Sequence, residues 1–272
     1  MPARPGSGQL RGNTMAKWTA FTHLGEYPFS TTSLKQGWLR LHAGDMEPCP
    51  RDARLLRAWT LFHQGEFEQA ALEGLRCGGS GVTAANKATI VYANHLEPSD
   101  KVRLELFMQV AERAQTQAVQ DPDNANAWYW QAYGLGRYSQ GISVTKALAQ
   151  GLGSRVRHAL ERTIQLEPRH ADARVALGAF HAEVIDKVGS LIGGMTYGAN
   201  RETGLQLYQD ALRLNPRSAN TMIEYANALL MMEGEKSLGE STEWLRKAAA
   251  CKPADALERL EVESAIAELA QR

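Results

Sequence analysis

The chain repeatedly ends an amphipathic helix on a proline and then begins another. Thr163-Ile164-Gln165-Leu166-Glu167-Pro168, Ala211-Leu212-Arg213-Leu214-Asn215-Pro216 and Ala248-Ala249-Ala250-Cys251-Lys252-Pro253 share this design, with Ala118-Val119-Gln120-Asp121-Pro122 as a shorter version. Proline lacks the amide hydrogen and its ring collides with the preceding turn, so each of these marks a helix boundary. Apolar residues then recur at helical spacing over Ala125 to Tyr138, Ala171 to Val184 and Ala219 to Met232. A recurring pair of helices cannot bury its apolar face alone, whereas stacked copies can. The pattern predicts an all-helical stack.

Residue by residue, the units resemble tetratricopeptide repeats. Leu177-Gly178 occupies the large-small pair of a first helix, with Gly204, Tyr208 and Ala211 at the packing positions of the second. Trp128 and Ala132 match in the preceding unit, with Val156, Leu160 and Thr163; Tyr225-Ala226 match in the last, with Ser241, Leu245 and Ala248. An earlier unit has the turn Gly65-Glu66-Phe67-Glu68-Gln69-Ala70, although Arg57 and Gly74 stand where large apolar residues are expected, and 84–120 reads as a degenerate repeat. The resemblance covers about residues 51–253. It implies an all-α, right-handed helix-turn-helix solenoid of five irregular repeats, following a disordered or extended segment (1–30) and an N-terminal capping helix region (31–50). Residues 254–272 form the expected C-terminal cap, with Glu258, Glu261, Glu263 and Glu268 predicted to lie on a solvated face.

Two repeats are too long. Prolines 122, 168, 216 and 253 are spaced by 46, 48 and 37 residues, against a consensus of about 34. The extra residues, 139–153 and 186–199, fall between the two helices of their repeats and so project from one edge of the stack. Glycine-rich, partly apolar insertions on a rigid scaffold are either binding loops or edge caps. They resemble the enlarged turns of the T-component of tripartite periplasmic transporters, although no signal segment or lipidation cysteine stands near the start.

Composition narrows the function. Lys plus Arg equals Asp plus Glu at 30 each, so no overall charge draws the chain to nucleic acid. No apolar run is long enough to span a membrane. Cys49, Cys77 and Cys251 are too scattered for a zinc site or a disulfide framework and point to a reducing, cytoplasmic setting. Residues 1–14 read as disordered, and Met15 is an alternative start; an amphipathic presequence is not evident. Catalytic constellations fail one by one. His181-Ala182-Glu183 has no Pro-Cys-x-x-Cys partner and sits at a packing position. Gly78-Gly79-Ser80-Gly81-Val82-Thr83 is not a phosphate loop, because Asn86 and Ala88 flank Lys87. The expectation is a non-enzymatic module without cofactor or metal.

Family geometry then supplies a candidate site. In repeat proteins of this kind, fixed positions of each first helix face the concave groove. These are Asn126, Tyr129 and Tyr133, then Asp172 and Val175, then Asn220, Ile223 and Asn227, with Trp59 and Phe62 extending the set. Aromatic rings beside amides suit capture of an extended peptide. Arg137, Lys146, Arg155 and Arg157, with Arg162, surround the first insertion and are candidate contacts for an anion or a terminal carboxylate. Two alternatives stay open: a small apolar ligand or solute held beneath the insertions, and a homo-oligomer formed through an apolar edge.

Overall fold

The computed structural model describes residues 17–272, so the expectations for residues 1–14 and for a start at Met15 lie outside the described residues. Among the described residues there are fourteen α-helices, one short 3-10 turn and no strand. α1 (Thr31–Leu41) precedes five helix pairs. The first three are α2 (Ala53–His63) with α3 (Phe67–Cys77), α4 (Gly81–His95) with α5 (Asp100–Gln120), and α6 (Ala125–Gln140) with α8 (Leu152–Leu166). The last two are α9 (Ala171–Val188) with α11 (Arg201–Leu214), and α12 (Ala219–Glu233) with α13 (Leu238–Ala249). Each long insertion contains a short helix of its own, α7 (Val144–Ala149) and α10 (Ser190–Tyr197), and α14 (Ala256–Leu269) closes the chain.

The helix starts follow from local chemistry. Ser99, Asn124, Ser218 and Asp255 each accept an amide hydrogen bond from the first turn of the helix they precede, an interaction worth about 1 kcal/mol. Close packing within pairs depends on missing side chains. A Cβ on Gly178 would lie 2.7 Å from the Tyr208 ring, which is why a large-small pair is needed there. Gly74, out of place by the repeat pattern, lets α3 approach the backbone of α4, where a Cβ would stand 2.6 Å from the carbonyl of Gly81.

The concave side is not left empty. The segment before α1 packs along the scaffold, with Trp18 stacked on Tyr92 at 4.2 Å between centroids and Phe21 buried against Phe67. After α1 the chain turns inward through a loop, 42–50, whose Met46 takes a positive φ of 51°. α14 runs back from the last repeat to the first: Asp255 meets His63, Glu258 meets Arg40 and Glu263 meets His23. The cap glutamates are therefore not a solvated face. Glu258, Glu263 and Glu268 are half-buried and paired, because α14 is enclosed by the first and last repeats together.

Candidate functional site

The groove predicted to take a peptide holds one already, from this chain. Asn126 Nδ2 donates to the carbonyl of Asp45 (3.1 Å) and to Glu47 Oε2 (2.7 Å), while the amide of Asp172 donates to the carbonyl of Gly44 (3.0 Å). His170 fixes Asn126 by donating from Nε2 to its Oδ1 (3.0 Å), and accepts the Ala173 amide at Nδ1. This pattern defines the neutral tautomer, and burial pushes the His170 pKa down to about 4. Behind the loop, the Asp45 carboxylate receives Lys87 Nζ (2.6 Å) and His42 Nδ1 (2.9 Å). Both charges are buried, and Lys87 beside it holds Asp45 well below the usual carboxylate range. Glu47 and Asp172 lack such a cation and are pushed up to about 8 and 7 by burial.

Several expectations need correcting. Trp59 and Phe62 are 0% exposed and belong to the N-terminal core, where they contact each other edge to face at 5.6 Å. They present nothing to a ligand because α1, the 42–50 loop and α14 cover the concave side there. Tyr129 is buried beside Trp130 and His170, on the wall of the cavity described below. Asn126 is buried in the contacts just described. Asn227 is taken by Glu268 and Arg272 of the C-terminal segment.

Open volume exists farther along the stack. A cavity of about 150 Å³ lies among α6, α8 and α9 and beneath both insertions. Its walls are mainly apolar, with Ala176, Ala179 and Phe180 from α9, Val156 and Leu160 from α8, and Leu148 and Tyr197 from the inserted helices. Tyr133, Asp172, Val175 and Asn220 of the predicted set do line it. On its far side is a more polar cavity of about 510 Å³, lined by residues including His95, Arg103, Ile223, Glu261 and Ser264. Arg137, Gln140, Asn220 and Glu224 border both.

Arg137 is the cation at this boundary. Its Nε donates to the Tyr133 hydroxyl (3.2 Å) and Nη1 to Gln140 Oε1 (3.1 Å), while the Glu224 carboxylate stands at 3.6 Å. Tyr133 and Glu224 raise its pKa, so it keeps its charge. Burial raises that of the neighbouring Glu183. The other basic candidates do not join it. Lys146 lies over the Tyr138 ring, Arg155 reaches Gln115, and Arg157 pairs with Glu161 and donates to the carbonyl of Tyr197 (2.7 Å). Arg157 thereby ties the first long repeat to the second insertion, a structural duty that sequence spacing could not distinguish from anion binding. Glu183, Glu224 and Gly136 were not anticipated as cavity residues. The useful signal was the second insertion itself, an uncharged Leu-Ile-Gly-Gly-Met run beside an over-long repeat.

Fold and site together define a helical-repeat scaffold of the tetratricopeptide type. Residues 82–272 match the family described as Regulator of microtubule dynamics protein 1-3, and the chain belongs to that family. Among solved structures it is similar to a thermophilic TPR protein of Thermus thermophilus. The two are 16% identical with a TM-score of 0.55, over 79% of this chain and 97% of that one. No curated protein matches it.

Proposed function

We propose that this scaffold is a non-enzymatic binding module for a small amphiphile, whose alkyl part enters the apolar cavity and whose anionic head meets Arg137. The observation that carries this reading is the position of one charged guanidinium on the wall shared by an apolar and a polar cavity. A volume of about 150 Å³ is that of a cavity that takes a benzene ring, so it holds roughly six carbons of an alkyl chain, the rest of which extends towards the mouth beneath the inserted helices. The apolar walls supply affinity through burial, and the cation fixes orientation. The peptide-groove reading is weaker, because the loop 42–50 and α14 already satisfy the groove amides.

Calorimetric titration with dodecyl phosphate, kept below its micelle concentration, tests the proposal. Binding should fall about tenfold or more in Arg137→Gln, as expected for loss of a charge-assisted contact worth about 1.5–3 kcal/mol. Dodecanol should bind both forms alike. No binding, or equal phosphate binding by the variant, would overturn the assignment. The family's description supports a second reading, a protein partner in the regulation of microtubule dynamics; co-sedimentation with polymerised tubulin tests it, and a chain left in the supernatant would speak against it.

A further inference from the structure

Of the two short helices that roof the cavity, α10 is apolar on both sides. Tyr197 of α10 and Ala147 of α7 line the cavity below. Above, Leu191, Ile192 and Met195 of α10 are 75, 58 and 83% exposed, while Val144 and Leu148 of α7, which also line the cavity, are exposed at its mouth. α10 has no charged residue at all. Among the described residues, no other helix exposes more than two large apolar side chains. Gly189 and Gly198, at φ values of +80° and +62°, bracket α10 and provide the reversals that hold it over the cavity.

A helix wet on one side is expected to be polar there; this one is built for a second apolar medium. We infer that α10, with the exposed edge of α7, inserts into the interfacial region of a phospholipid bilayer and sets the mouth of the cavity against it. The inference rests on the amphiphile-binding reading, since a ligand that partitions into bilayers could then pass from membrane to cavity without crossing water. A second copy of the chain is a poorer occupant. Three exposed side chains on an eight-residue helix fall far short of the roughly 800 Å² per partner that a stable dimer buries. Lys187 and Arg201 flank α10 and are balanced by Asp186 and Glu202, which leaves Lys146 of α7 as a lone cation, too few for attraction to an acidic surface. Attachment is therefore by apolar insertion, a few ångströms deep, and not by charge.

The test is flotation of the full chain with vesicles of uncharged phosphatidylcholine, in low salt and in 0.5 M NaCl. The natural chain should float equally in both. Leu191→Glu combined with Met195→Glu should lower the partition coefficient at least tenfold, while Leu39→Glu, a control at an exposed leucine of α1, should float like the natural chain. Met195→Gln, a milder change, should give an intermediate loss and guards against unfolding of the double variant. Dodecyl phosphate titration separates the two ideas: flotation without phosphate binding would sink the ligand reading and leave the docking surface standing. A natural chain that stays at the bottom of the gradient, a charged variant that floats unchanged, or a natural chain that sediments as a dimer while the variant is a monomer would each overturn the inference.

Discussion

The first repeats and the middle repeats use one architecture for opposite ends. Around α2 and α4 the concave side is sealed by the 42–50 loop and α14, and its polar groups are consumed in the Lys87–Asp45–His42 and Asn126–Glu47 contacts. Between α6 and α9 the corresponding space stays open beneath two inserted helices, walled by alanines, valines and leucines around one arginine. Identical helix pairs thus give a closed core or a binding cavity according to what the connecting segments do. Buried charges suit the first where a fixed partner exists, as Lys87 and His42 supply for Asp45. Apolar walls suit the second because an empty polar cavity would leave donors and acceptors unmet.

The largest test of this contrast is Lys87→Met, which leaves Asp45 buried without its cation and should cost about 3–5 kcal/mol in denaturant unfolding. A loss under about 1 kcal/mol, as at a surface pair, would show that the sealed half is not held by this network. Gly178→Leu should cost roughly 1–3 kcal/mol by overpacking against Tyr208, and an unchanged melting temperature would contradict the pairing of α9 with α11.

Asp172 sits where the two regions meet, and it predicts a pH effect. Its folded pKa of about 7 lies above the ordinary 3.8, so ionisation opposes folding: the penalty is absent below about pH 4, grows as pH rises through 7, and is complete above. His170, depressed to about 4 from 6.5, acts the other way, with its stabilisation present above 6.5 and lost as pH falls towards 4. Asp172→Asn should therefore raise stability by roughly 1–3 kcal/mol at pH 8.5 and by little at pH 4, read from melting curves at both. An equal gain at both values would mean that the side chain acts through packing, not charge. The smallest effect on stability is expected from Gly136→Leu. A Cβ there meets nothing within 4 Å, and replacing a helical glycine gains up to about 1 kcal/mol; dodecyl phosphate binding should nonetheless vanish as the side chain fills the cavity. Binding that survives would place the ligand elsewhere.

Much of the scaffold was legible in the sequence. α6, α9 and α12 begin at Ala125, Ala171 and Ala219, where the apolar periodicity begins after a turn, because N-caps and prolines act locally. The insertions were legible too, as excess length between two helices. The site was only half legible. Tyr133, Asp172 and Asn220 do line the cavity, whereas Trp59 and Phe62 were assigned to the groove by repeat position and proved to be core.

The repeat architecture follows from local chain order alone, since period, caps and breakers are properties of neighbouring residues. Which concave residues remain free is set by contacts between distant segments. That depends on a loop of residues 42–50 meeting Asn126 and Asp172 some 80 to 130 positions away, and on α14 returning to the first repeat. Local periodicity carries no record of such meetings, because burial is conferred by partners distant in the chain.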